Sequence, residues 1–143
     1  MNAKVTKFNE FLTANNINCF QAQAIENEMH SVLYRSFMEV NGQNLPTMVV
    51  VDDSIYVMVQ VRVAAAVVKE ANRTAIMEHI NKLNDTYKVF KYYVNENGDI
   101  VIESCIPSTD EEFVPGLVHA VIALIPKHLQ AEYARLMKPV WAN

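Results

Sequence analysis

Ile55, Val57, Val59, Val61 and Val63 alternate with Tyr56, Met58, Gln60 and Arg62, and this period of two constrains the fold more than any other feature of the chain. Successive side chains of a strand point to opposite faces, so the run predicts a strand with its Ile/Val face on a core. The residues before it repeat the theme. From Ser31 the period is again two, with Val32, Tyr34, Met38 and Val40 on one side and Leu33, Arg35, Phe37 and Glu39 on the other. Asn41-Gly42 then gives the strongest short hairpin signal, because both residues tolerate the positive φ of a two-residue turn. The return strand falls at residues 47–51. Pro46 is assigned to its start, since proline has no N–H for a ladder. Asp52-Asp53-Ser54 marks the next corner.

Helices are read from a longer period. Val5, Phe8 and Leu12 predict an amphipathic helix over residues 2 to about 15, ended by Asn15-Asn16. Residues 16–30 admit two readings: Gln-Ala alternation suits a strand, while Ile25, Glu28 and Met29 suit a helical turn. A second helix, capped near Asn72, carries Ile76, Ile80, Leu83 and Tyr87 as its buried stripe and Glu78 and Lys82 on its outer side. Residues 88–107 form a further hairpin. With Asn97-Gly98 as a two-residue corner, Val94 faces Val101, Phe90 faces Cys105, Tyr93 faces Ile102 and Val89 faces Ile106, while Glu96 and Asp99 keep the corner in water. For the last helix, Thr109 to Glu112 fits a capping box, and Pro115 fits the first turn of a helix starting near Val114. From Leu117 to Ile125 only His119 is polar, so this helix is expected to be covered on more than one side. Pro126 should end or bend it, with Leu129, Tyr133 and Leu136 or Met137 continuing as far as Pro139. The expectation is an α+β fold in one domain over residues 1–143: a single antiparallel sheet of about five strands, helices on one face, in the order α-β-β-β-α-β-β-α.

Composition and motifs exclude several classes of function. A chain that is 51% hydrophobic can build a core without staples. Two cysteines, Cys19 and Cys105, make no disulfide framework and no C-x-x-C, which fits a reducing, cytoplasmic setting. The N-terminal residues lack the apolar core of a signal peptide, and the longest apolar run contains His119 and is too short for a bilayer. The Asn72-Arg73-Thr74 sequon is therefore taken as chance. A formal charge of −4 with scattered Lys and Arg argues against nucleic acid. Three glycines, two of them in Asn-Gly corners, leave none for a phosphate cradle.

Candidates for chemistry also have structural explanations. His30, His79, His119 and His128 show no metal-ligand spacing. Cys105 falls in mid-strand and Cys19 in the ambiguous stretch, and neither has a sequence cue for a partnering histidine. Asp52/Asp53 and Asp110-Glu111-Glu112 are explained by a turn and a helix start. The six tyrosines lack the basic track of a base-stacking platform. Asn95 to Asp99 gathers oxygen ligands as a calcium loop does. An EF-hand register with Gly98 at its sixth position would, however, put Tyr93 first and Ser104 last, where acids are required. No cofactor, metal or catalytic residue is expected.

The segment "FKYYVNENGDIVIESCIP", followed by an acidic start and an apolar helix, and the order of elements from about Ser31 onward, resemble the YbjN group of bacterial sensory transduction regulators. That group is similar in fold to the small acidic chaperones of type III secretion. The resemblance implies an acidic cytoplasmic protein without active site, dimeric, that binds other polypeptides or regulates. The apolar pairs on both faces of the last hairpin agree, because helices cover only one face of a single sheet and the other needs a partner. Phe90, Tyr92 and Val94 with Val101 are the residues expected to line the dimer or partner surface. The functional expectation is a homodimeric, chaperone-like or adaptor module. A ligand- or stress-responsive regulator comes second and a small enzyme with a pocket third.

Overall fold

The computed structural model describes residues 2–142. In chain order the elements are α1 (Ala3–Ala14), β1 (Gln21–Ala24), β2 (Val32–Val40), β3 (Gln43–Val51), β4 (Tyr56–Ala64), α2 (Arg73–Thr86), β5 (Lys91–Val94), β6 (Ile100–Pro107) and α3 (Pro115–Trp141). The strands form one antiparallel sheet ordered β1-β2-β3-β4-β6-β5. The fold class is as expected. The sixth strand comes from the ambiguous stretch: β1 lays Gln21–Ala24 along β2, with every side chain exposed.

One face of the sheet carries the core. Val57, Val59, Val61 and Val63 of β4 are buried, beside Tyr34, Met38 and Val40 of β2, Val49 and Val51 of β3, and Ile100 and Ile102 of β6. Ile55 lies before β4 and is exposed, so the alternation reaches the core only from Val57. The helices close over this face. Phe8 of α1 meets Tyr34 edge-on at 4.7 Å, Asn84 of α2 bonds both backbone groups of Tyr92, and Tyr133 of α3 reaches Gln43. Lys4 is fully buried on α1, where its Nζ donates to the carbonyls of Ser54 and Tyr56 and ties the helix to the β3–β4 corner. Burial lowers its pKa, partly offset by Asp52, Asp110 and Asp53.

Local chemistry explains the corners. Asn41 and Gly42 both have positive φ and join Val40 to Gln43 in a two-residue turn of type I′. Pro46 sits inside β3 opposite Phe37, not at the strand start. Hydrogen-bonded and non-bonded pairs alternate from the turn, which makes Phe37–Pro46 a non-bonded pair. The missing N–H would have pointed toward β4, whose ladder begins one residue later at Thr47.

The last hairpin departs from its expected register. Tyr92 pairs with Ile102, Tyr93 with Val101 and Val94 with Ile100, a shift of one residue. The tip is three residues, Glu96-Asn97-Gly98, closed by Asn95 N–H to Asp99 O, with only Gly98 at positive φ. Asn95 causes this: its Oδ1 accepts from the amides of both Asn97 and Asp99 and folds the chain into a turn closed by a left-handed glycine. Nor does Asp99 stand in water. It is buried, and its Oδ1 accepts from the Ala66 amide at 2.7 Å while Gly98 O accepts from Val67 and Val68. The tip is docked against the loop after β4.

α3 starts at Pro115, with Val114 as its N-cap, and runs unbroken through Pro126. Its second half, from Ile125 through Leu129, Tyr133, Leu136 and Met137, is buried. Its first half is covered on one side only, since Leu117 and Leu124 are exposed. Among the described residues, no helix is long and apolar enough to cross a membrane.

Candidate interaction site on the open face of the sheet

The face of the sheet turned away from the helices is open, and its layout follows from strand register. Gln21, Arg35, Met48, Gln60, Glu103 and Lys91 pair successively across all six strands and form one row that is polar except at Met48. On one side runs an apolar row, Leu33, Val50, Met58 and Cys105. On the other side lie the Phe37–Pro46 pair and the Arg62–Val101–Tyr93 row. A groove of about 840 Å³ crosses this face, lined among others by Arg35, Phe37, Met48, Gln60, Arg62 and Tyr93. Phe37 is 70% exposed, an unusual position for a phenyl ring on a strand.

Hydrogen bonds hold the floor of the groove in place. Gln60 Nε2 donates to Tyr93 Oη at 2.8 Å and to Glu103 Oε1 at 3.2 Å, and Lys91 Nζ lies 3.0 Å from the other carboxylate oxygen. Burial, reinforced by the Glu103 charge, raises the Tyr93 pKa, so the phenol stays protonated. Burial likewise raises the Cys105 thiol, with Glu103 adding to the effect. That is the opposite of what an activated nucleophile requires. Hydrogen bonds from Asn95 and the Ala66 amide hold the Asp99 carboxyl below its usual range.

The residues assigned to a partner surface from sequence do not share a face. Phe90 and Tyr92 are buried under the helices and Val94 packs against the same core, while Val101 is on the open side beside Tyr93. Cys19 lines the groove, and Cys105 sits one strand-row away on the same face. Asp53 is at the opposite corner. There His30 Nδ1 approaches it at 2.6 Å and lowers its pKa by hydrogen bonding, with Asn2 contributing. Among the described residues, no group of three or more His, Cys, Asp or Glu side chains could hold a metal ion.

A second cluster, absent from the sequence reading, lies where α3 crosses the α2–β5 connection. His128 is 8% exposed and surrounded by the rings of Tyr87, Phe90 and Tyr92, with its Nε2 2.6 Å from Tyr92 Oη. Glu132, one turn on, is buried and bonded to Arg135. Burial raises the Tyr92 pKa, so the phenol stays protonated and its hydroxyl shares a hydrogen bond with His128 Nε2. Burial also lowers the His128 pKa, against the opposing pull of Glu132. The unfolded chain then takes up this proton more readily than the folded one, so the contribution to stability is full above about pH 6.5 and falls as pH drops below it. The urea midpoint should be lower at about pH 5.5 than at about pH 7.5. His128→Gln should reduce that difference, and an unchanged difference would show that other groups carry it.

The match to a family model fits this architecture. The model described as "Putative bacterial sensory transduction regulator", YbjN, matches residues 11–127, from the last turn of α1 through all six strands and α2 into the middle of α3. The chain belongs to the YbjN family. No curated protein matches it. The matched span of this YbjN protein contains the whole open face and ends one residue before His128.

Proposed function

We propose that the protein is a non-enzymatic, homodimeric, chaperone-like adaptor of the cytoplasm that holds another polypeptide on the open face of its sheet. The open groove carries this reading, because an exposed phenyl ring and half-buried Met48 and Val50 beside ordered polar groups suit capture of a side chain and backbone. The Cys105 thiol, one strand-row from the groove, is pushed toward its protonated form, which argues against nucleophilic chemistry at that residue. The test is affinity recovery of tagged protein from its own cytoplasm, compared between wild type and a groove variant. Recovery of the same polypeptides by both would refute the reading.

The dimer is assigned to α3. Leu117, Val121 and Leu124 follow one another at intervals of four and three residues, the spacing of a helix–helix seam; Leu117 and Leu124 are exposed, as is Val114 at the N-cap. A two-fold pairing would bury the same stripe from both copies. Leu124→Glu should convert dimer to monomer in light scattering, keep the wild-type far-UV circular dichroism spectrum, and remove any concentration dependence of the thermal midpoint. A monomeric wild-type protein at micromolar concentration would overturn the assignment.

A ligand-responsive regulator is the second reading, in keeping with the family description. It is favoured by a recess of about 320 Å³ lined by Tyr87, Lys88, Val89, Phe90, Leu124, Lys127 and His128. Leu124 belongs to both recess and seam, so a ligand there would bear on dimerisation. Reproducible thermal stabilisation by a metabolite would support this reading.

A further inference from the structure

We infer that the polypeptide held in the groove is acidic: a segment that presents carboxylates to Arg35 and Arg62 and an aromatic or aliphatic anchor to the apolar patch at Phe37 and Met48. This rests on the reading that the groove captures polypeptide, and adds the chemistry of what is captured.

The inference follows from which charges in the groove are already satisfied. Glu103 is held by Lys91 and Gln60, and Asp99 by the Ala66 amide and the Asn95 side chain. The groove's two guanidinium groups are placed differently. Among the described residues the ion pairs are His30–Asp53, Lys91–Glu103 and Arg135–Glu132, and neither Arg35 nor Arg62 takes part. Arg35 has a long contact to Gln23, at 3.4 Å, and Arg62 lies near enough to Asp99 for its charge to be felt without forming an ion pair. Both side chains belong to exposed residues that line the groove. A chain of net charge −4 thus presents two guanidinium groups without carboxylate partners on its one open sheet face.

Their spacing suits a peptide. Arg35 is on β2 and Arg62 on β4, with β3 between them, so they stand about 10 Å apart across the sheet, with Arg62 two residues further along its strand. Met48 and Pro46 occupy the ground between them, with Phe37 alongside. An acidic segment can pair both guanidinium groups bidentately while its apolar side chain covers Phe37 and Met48. A basic segment would bring like charges together, and a neutral one would cover two cations without pairing them.

Two synthetic peptides test this, identical in their Leu and Phe residues but carrying Glu in one and Lys in the other at every polar position. Titrated against the intact protein at low salt, the Glu peptide should bind at least about tenfold more tightly, and added salt should shrink the difference. In the double variant Arg35→Glu/Arg62→Glu the preference should invert. Should that variant fail to fold, Arg35→Gln/Arg62→Gln should abolish the preference instead. Equal binding of both peptides by wild type, or a preference that survives either double variant, would overturn the inference and leave polypeptide capture standing. Failure of both peptides to bind, together with no groove-dependent recovery of cytoplasmic polypeptide, would overturn both.

Discussion

Gly98→Ala should destabilise the protein by about 2–3 kcal/mol, while Gly42→Ala, in the other Asn-Gly turn, should cost only about 1 kcal/mol. Both glycines have positive φ, +78° and +81°, so each substitution incurs the backbone strain of the left-handed region. The surroundings differ. A Cβ on Gly42 meets nothing within 4 Å, whereas one on Gly98 would lie 2.8 Å from the Val68 carbonyl oxygen. That oxygen belongs to backbone whose own amides, Val67 and Val68, donate to Gly98 O. Relief of the clash therefore breaks the bonds that dock the hairpin tip. Urea denaturation of the two variants checks the difference, and equal losses would mean that the docking contributes little.

Phe37→Thr should leave stability within about 0.5 kcal/mol of wild type and weaken capture of the partner by roughly thirtyfold or more. Threonine keeps the strand preference of β2, and the ring it replaces is mostly in solvent, so little folded-state contact is lost. On binding, that ring is the largest apolar surface the groove can bury. Truncation of such an anchor typically costs at least about 2 kcal/mol. Chemical denaturation and partner affinity, measured on the same preparation, separate the two effects. A large loss of stability with unchanged affinity would assign Phe37 to the fold instead.

Legibility in the sequence followed the range of the interactions involved. The β2–β3–β4 meander was readable because alternation and an Asn-Gly turn act locally: Val40↔Gln43 and Val51↔Val57 follow from neighbouring residues. β1 gave no hydrophobic signal, since Gln21–Ala24 buries nothing and is a strand only because β2 offers its edge. The register of the last hairpin depends on one side-chain acceptor, Asn95 Oδ1, and on the Ala66 amide 33 residues from Asp99. That single shift moved Val101 to the opposite face from Phe90, Tyr92 and Val94. The open face could be named as one parity of β2, but its layout needed the β4–β6 pairing, which joins residues far apart in sequence. By local rule Pro126 ends or bends the helix, and of these it does not end it. The helix passes through it because Ile125 and Leu129 on either side are both fully buried in the core.

The methionine methyl groups are natural probes of where a partner sits. Met48 lines the groove and Met58 lies on the same open face, Met77 is exposed on the helix side, and Met38 and Met137 are in the core. Methyl NMR of the protein, with and without the polypeptide recovered on wild type, reads each position separately. Large shifts at Met48, smaller ones at Met58 and stationary signals from Met77 and Met137 are the predicted result. A shift at Met77 with Met48 unmoved would contradict binding on the open face.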